Sequence, residues 1–210
     1  METGMSRKLY SRFLETSNEI STELHKAITE CGALTKQPQN AQPLATVMCR
    51  TIAGQQLSVQ AARTIWSRVV TASGTTPLAE YLITVSPSDL RACGLSRAKA
   101  RAVKEIVAAA DSGCLDTKKL TAFSHRERSQ QLMEIWGVGQ WTADMLGIFY
   151  FGDQNVWPES DITVTKTLQR LIGYRRKTTL AADRFAPHRS FLARYMWKIA
   201  DATPNNKRAS

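Results

Sequence analysis

The sequence lacks the features that mark zinc proteins, secreted proteins and membrane proteins. Its four cysteines form no CxxC pair and have no histidine at zinc-ligand spacing, which predicts buried thiols in a reducing compartment. No apolar run approaches the roughly 20 residues that a membrane-spanning helix needs, and residues 1–12 contain no signal-peptide stretch. We therefore expect an intracellular protein, in the cytoplasm or nucleoid of a bacterium or in the nucleus of a eukaryote.

Acidic residues are also scarce. The chain carries 28 Lys and Arg against 18 Asp and Glu, a net charge of +10 and a pI of about 9.7. This charge favours a polyanionic partner, because phosphates that are neutralised by cationic side chains release their counterions. Charge alone leaves open a basic protein that binds no nucleic acid. With 210 residues, 43% of them apolar, the chain can bury one substantial core or two small lobes.

The alternating pattern of a half-buried strand is missing as well. Apolar residues recur instead at helical spacing, as in Leu44, Val47 and Met48, so the sequence predicts an all-α fold. Cap and turn residues predict helices over residues 97–110, 124–135, 140–150, 161–172 and 187–200. The amino-terminal segment is predicted to form one short helix.

A tight turn, WGVG at residues 136–139, separates two of these predicted helices. Its glycines permit an abrupt turn, and bare backbone at the start of the following helix can approach a DNA phosphate closely. A turn of this kind also occurs between ordinary packed helices, so the motif needs support from elsewhere in the chain.

Five blocks in order supply that support: IAGQQLS at 52–58, CGLSRAKA at 93–100, the turn, WPESD at 157–161, and PHRS at 187–190 followed by Tyr195 and Trp197. Together they resemble the helix-hairpin-helix DNA glycosylase superfamily, in the branch of 3-methyladenine glycosylases that act on alkylated purines. The resemblance covers residues 44–197. It implies a single domain over residues 1–210, with two helical lobes around a cleft and no additional α/β domain. The lobes are expected at residues 44–120 and 121–200, with the amino-terminal segment packed on the second.

The resemblance makes Asp161 the catalytic carboxylate. Hydrolysis of an N-glycosidic bond builds positive charge on the sugar, which a fixed carboxylate stabilises, and an alkylated purine is already a good leaving group. The alternative is an ordinary N-cap that accepts from the N–H of Thr163 or Val164, and the two roles are compatible. Ser160 stands where the family often has an acidic residue, which leaves Glu159 as a weaker auxiliary group.

Trp141 stands two positions after the second hairpin glycine, where lyase relatives carry a lysine that forms a Schiff base with the sugar. An indole cannot do this chemistry, so the resemblance implies a monofunctional enzyme with water as the nucleophile. The resemblance also implies that such an enzyme acts in base excision repair on duplex DNA that contains damaged bases, and we expect a monomer. The alternative is a non-catalytic module that recognises damaged or abasic DNA.

By matching position, Trp141 is expected to form the aromatic wall of the pocket for the extruded base, with Trp157 in second rank and core packing as the alternative for both. Gln55 and Gln56 are expected either to read the base edge or to make structural hydrogen bonds. Leu95, in a loop with Ser96, is either the apolar wedge that fills the gap in the base stack or a buried contact.

The remaining expected contacts involve the hairpin and its neighbours. DNA phosphates are assigned to the N–H groups of Gly137, Gly139 and Trp141, with help from Thr142 and Lys166. Val138 and Gln140 are also assigned to DNA binding. A monovalent cation, sodium or potassium, is assigned to the main-chain carbonyls of Met133, Ile135 and Val138, and no other cofactor is expected. The sequence pattern places His25, His125 and His188 on the surface without a role in the chemistry, and Asp144 in a solvated or capping position.

Overall fold

The computed structural model describes residues 5–35 and 41–202, which form helices and no β-strand, so the all-α prediction is confirmed. In chain order the helices are α1 (Arg7–Ile20), α2 (Thr22–Cys31), α3 (Leu44–Gly54), α4 (Val59–Ala72), α5 (Leu78–Thr84), α6 (Pro87–Ala92), α7 (Arg97–Asp111), α8 (Thr117–Ala122), α9 (His125–Met133), α10 (Gln140–Leu146), α11 (Ile162–Ile172), α12 (Thr178–Asp183) and α13 (Arg189–Ala202). A π-helical turn, Gly147–Phe151, continues α10.

Side-chain caps explain where several helices begin. Ser96 accepts a hydrogen bond from the N–H of Lys99 at the start of α7, and Ser124 forms a capping box with Glu127 in α9. The predicted amino-terminal helix is in fact two, because Ser21 is extended (φ −164°) and ends α1. Its hydroxyl then caps α2 by accepting from the N–H of Leu24.

The chain divides into two compact units. The hairpin unit is Asn40–Phe151, and the terminal unit joins Met1–Gln39 to Gly152–Ser210. The amino-terminal helices therefore pack with the carboxyl-terminal part of the chain. Residues 121–151, in contrast, belong with the hairpin unit and not with the second lobe, because Leu132, Val138 and Leu146 contribute to its core.

The hairpin unit is built around α3 and α7, which pack against each other and bury Met48, Ile52, Val103 and Ile106. In the terminal unit α11 packs against α2 and α13. An aromatic cluster lies at its core, with the Phe13 ring 4.8 Å from that of Phe185 and 5.9 Å from that of Tyr195. No helix in the described ranges is long and apolar enough to cross a membrane.

Candidate active site

The hairpin depends on Gly137 for a steric and a conformational reason. Its φ of +87° lies in the left-handed region that favours glycine. A Cβ built on Gly137 would lie 2.5 Å from the Cβ of Ala102 on α7. The neighbouring Trp136 is stacked under the guanidinium of Arg101, 4.1 Å from the ring centroid. Two adjacent residues of α7 therefore hold the turn in place.

Gly139 is a different kind of glycine. Its φ is −109°, and no heavy atom would lie within 4 Å of an added Cβ, so nothing in the fold demands a glycine there. The residue is exposed and precedes α10, whose first turn has no side-chain cap. Backbone N–H groups at an uncapped helix start suit a phosphate oxygen. This arrangement is compatible with the phosphate contact expected at Gly139.

Two other hairpin residues lie too deep for the DNA contacts assigned to them. Val138 is 5% exposed, and its N–H already donates to the carbonyl of Ile135 at 3.0 Å. Thr142 is completely buried, and its hydroxyl accepts a hydrogen bond from Gln55 Nε2 at 2.8 Å. Neither side chain reaches a DNA phosphate, because each one faces the interior of the hairpin unit.

Asp144 and His125 join the two helices of the hairpin. The Asp144 carboxylate is buried, and its Oδ1 accepts from His125 Nε2 at 2.9 Å and from Gln140 Nε2 at 2.8 Å. The sequence pattern predicts Asp144 in a solvated or capping position and His125 on the surface. Both predictions are wrong, because Asp144 is buried within α10 and His125 is partly buried. His25 and His188 are also partly buried. The Gln140 side chain, assigned to DNA, is directed instead at Asp144 on the same helix.

The GQQLS block forms the loop between α3 and α4. Gln55 uses its side chain to bond Thr142, which favours the structural alternative for this residue. Gln56 is exposed and has a φ of +56°, the only described non-glycine residue with a positive φ. Leu57, the next residue, is 40% exposed. Gln56 and Leu57 therefore form the accessible tip of this loop.

Lys99 is a site residue that sequence reasoning missed. Its Nζ donates to the carbonyls of Ala53 at 3.0 Å and Gln55 at 2.7 Å, so it fixes the end of α3 and the start of the loop. Partial burial lowers the pKa of Lys99 from its usual value. Because Lys99 lies between Arg97 and Arg101 in the sequence, nothing distinguishes it from an ordinary solvent-exposed cation.

Leu95 is 4% exposed and belongs to the core of the hairpin unit. This burial contradicts the wedge assignment, because a wedge must reach the base stack from the surface, and it favours the buried-contact alternative. Ser96 is exposed, and its hydroxyl serves as the cap of α7. Trp141 is half-buried on α10, a position compatible with one wall of a pocket.

Asp161 lies in the terminal unit at the N-cap of α11. Its Oδ1 accepts a hydrogen bond from the N–H of Val164 at 2.9 Å, so the capping prediction is confirmed. The residue is only 8% exposed. Trp157, four residues earlier, has a buried indole N–H that finds no acceptor among the residues described. Lys166 lies on the exposed side of α11.

The carbonyls assigned to a monovalent cation lie at the end of α9 and in the turn. Met133 is 37% exposed. The Ile135 carbonyl accepts a hydrogen bond from the N–H of Val138, which leaves one of its two lone pairs for another partner. Carbonyl oxygens of this kind suit a hard cation, and these residues would hold it beside the uncapped start of α10. Within the described ranges, no group of three or more His, Cys, Asp or Glu could hold a metal ion.

Comparison with known proteins gives the same family. Residues 49–186 match the HhH-GPD superfamily base excision DNA repair protein family. DNA-3-methyladenine glycosylase 1 of Schizosaccharomyces pombe is 32% identical over an alignment of 167 residues that covers 74% of this chain and 73% of the relative.

Solved structures are similar along most of the chain. The Schizosaccharomyces pombe 3-methyladenine DNA glycosylase Mag1, in complex with abasic DNA, has a TM-score of 0.79 at 24% identity, with coverage of 91% of this chain and 97% of Mag1. The DNA-3-methyladenine glycosidase of Bacillus halodurans has a TM-score of 0.71 at 26% identity, covering 90% and 89%. The chain therefore belongs to the HhH-GPD superfamily of base excision DNA repair proteins, in its 3-methyladenine glycosylase branch.

Proposed function

We infer that the chain is a monofunctional DNA glycosylase that hydrolyses the N-glycosidic bond of alkylated purines in duplex DNA and leaves an abasic site. The observation that carries this inference is Asp161, a carboxylate that is 8% exposed and fixed in position by the N–H of Val164. The family membership and the relatives named above support the substrate class.

The chemistry needs a negative charge held in place before the substrate arrives. As the base departs, positive charge develops on the sugar, and a preorganised carboxylate in a poorly solvated position stabilises it more strongly than water would. A group of this kind contributes about 10²–10³ in rate. A cationic alkylated purine needs no strong general acid to leave, so one carboxylate and a water molecule are sufficient. Trp141 in place of a lysine leaves no amine at that position to attack the sugar.

Recognition of the base requires extrusion from the stack and a surface on which it can rest. We assign the stacking surface to Trp141, because an electron-rich indole favours a cationic base. The gap left in the duplex would be filled from the loop tip formed by Gln56 and Leu57, which replaces Leu95 in this role because the tip is exposed and Leu95 is not.

The hairpin would bind the DNA backbone through the region of Gly137, Gly139 and the first turn of α10. A monovalent cation on the carbonyls of Met133, Ile135 and Val138 would add positive charge beside the phosphate. The chain's own contribution is the close approach that Gly139 allows, since it places no side chain between the backbone N–H groups and the DNA.

The test is release of free base from methylated duplex DNA, followed by mass spectrometry of the released bases. We expect 3-methyladenine and 7-methylguanine, with abasic sites formed in equal number, and no release from the same duplex without methylation. Tight binding to abasic DNA without any base release would overturn the enzyme assignment and favour the non-catalytic module.

A further inference from the structure

A second charged surface lies on α11 and in the loop that follows it. We call it the α11 strip, and it consists of Lys166, Arg170, Tyr174, Arg175 and Lys177. All five residues are exposed, and Tyr174 is 84% exposed. Lys166 and Arg170 are four residues apart, so they lie on one side of the helix. The same helix begins at the candidate catalytic carboxylate, Asp161.

The charges of the strip are not neutralised within the protein. Over the described ranges, no salt bridge joins any of its four cations to a carboxylate, whereas Arg184 pairs with Glu19 and Arg189 with Asp183 in the same unit. A cluster of unneutralised cations attracts a polyanion, and the counterions released from that polyanion favour binding.

Hydrogen bonds hold the loop that carries three of the five strip residues. Gln169 Nε2 donates to the carbonyls of Gly173 at 2.8 Å and Arg176 at 2.9 Å, and Arg176 donates to the carbonyl of Ile20. These bonds fix the backbone on both sides of Tyr174 while its ring stays in solvent. An exposed aromatic ring among cations, on a loop whose backbone is hydrogen-bonded, is typical of surfaces that bind nucleic acid by stacking and by phosphate contacts.

We propose that the α11 strip binds the DNA backbone beside the lesion, in addition to the contacts of the hairpin. The proposal rests on the proposed function, because Asp161 then marks the position of the extruded nucleotide. With a rise of about 1.5 Å per residue, Lys166 lies about 7.5 Å and Arg170 about 13.5 Å further along the helix axis than Asp161. Successive phosphates of one strand are about 3.4 Å apart along the duplex axis, so these two distances correspond to about two and about four phosphate steps.

The decisive measurement is the salt dependence of binding to a duplex with one abasic site. Each phosphate contact contributes about 0.9 to the slope of log K against log salt concentration. The variant Arg170→Gln/Arg175→Gln should reduce the slope by up to about 1.8, and its affinity at 0.1 M salt should fall by up to about 60-fold. Lys166→Gln/Lys177→Gln is a second, independent pair with the same expectation.

The matched control is Arg7→Gln/Lys8→Gln, which removes two exposed cations of the same unit from α1. We expect the control to keep the wild-type slope. The proposal is overturned if the strip variants keep the slope of the wild type. It is also overturned if the control variant loses as much slope as the strip variants do. Tyr174→Ala should weaken binding without changing the slope, because stacking releases no counterion, and Tyr174→Phe should preserve the affinity.

Base release by the wild type is measured alongside and separates the two hypotheses. If the wild type releases base and the strip variants keep the wild-type slope, the proposal for the strip is refuted and the glycosylase activity stands. No release with a reduced slope refutes the glycosylase activity and leaves the strip as a DNA contact, since binding to an abasic duplex requires no bond cleavage.

Discussion

Replacement of Gly137 by alanine should destabilise the protein more than the addition of a methyl group at any other position of the hairpin. A non-glycine residue at φ +87° costs about 1–2 kcal/mol. The new Cβ would also lie 2.5 Å from the Cβ of Ala102, and overpacking of this kind costs about 1–3 kcal/mol. The free energy of unfolding should therefore fall by about 2–5 kcal/mol, which lowers the melting temperature by about 5–20 °C for a chain of this size.

Gly139→Ala is the matched substitution, since it adds the same methyl group two residues later. The allowed φ and the open space around Gly139 limit the loss of stability to about 0.5–1 kcal/mol, because alanine is a poorer N-cap than glycine. Affinity for abasic duplex should nevertheless fall, since the methyl group occupies the surface that approaches the phosphate. Urea denaturation and fluorescence anisotropy measure the two quantities.

Ala102→Gly tests whether the contact with the Cβ of Ala102 causes the loss of stability. It removes the atom that clashes, so the double variant Gly137→Ala/Ala102→Gly should recover part of the lost stability, although glycine within α7 costs about 1 kcal/mol of its own. The reasoning is refuted if Gly137→Ala unfolds at the wild-type urea concentration, or if the two substitutions are simply additive.

Three further predictions concern the contacts of Lys99, the lyase reaction and the burial of Cys49. Lys99→Met should lower the free energy of unfolding by about 1–3 kcal/mol, because the carbonyls of Ala53 and Gln55 lose a charged donor, whereas exposed Arg97→Met should have little effect in the same urea titration. Borohydride should trap no covalent adduct between the protein and abasic DNA, since Trp141 replaces the nucleophilic lysine, and a trapped adduct would contradict this. Burial raises the pKa of Cys49 to about 12. A thiol reagent at pH 8 should therefore label exposed Cys114 and leave Cys49 unmodified until the protein unfolds. Labelling of Cys49 in the folded protein would contradict its buried position.

Local signals in the sequence predicted the helices near the site well. Ser96 and Asp161 are both N-caps, and the helices they begin, Arg97–Asp111 and Ile162–Ile172, lie within a residue of their predicted bounds. A cap is a contact between residues three apart, so the sequence itself contains the necessary information.

Burial on α10 could not be predicted in the same way. Every residue from Thr142 to Ile148 is buried, so the helix has no polar side in this stretch to indicate its orientation. The sequence predicts a DNA contact for Thr142 and a solvated or capping position for Asp144, whereas both side chains face the interior, where Gln55 and His125 provide their hydrogen bonds. These partners are distant in sequence, and no local pattern identifies them. For Leu95 the sequence left two roles open, since an apolar residue in a short loop fits a buried contact as well as an exposed wedge, and its burial in the core favours the first.

The most direct test of the central claim is the single-turnover rate of base release from methylated duplex DNA by Asp161→Asn. Asparagine caps α11 as well as aspartate does, so the melting temperature and the affinity for abasic DNA should stay close to those of the wild type. The rate should fall by about 10²–10³ because the negative charge is lost. Asp161→Ala, which loses both the cap and the charge, reports the structural contribution. Undiminished release of alkylated base by a folded Asp161→Asn protein would contradict the account.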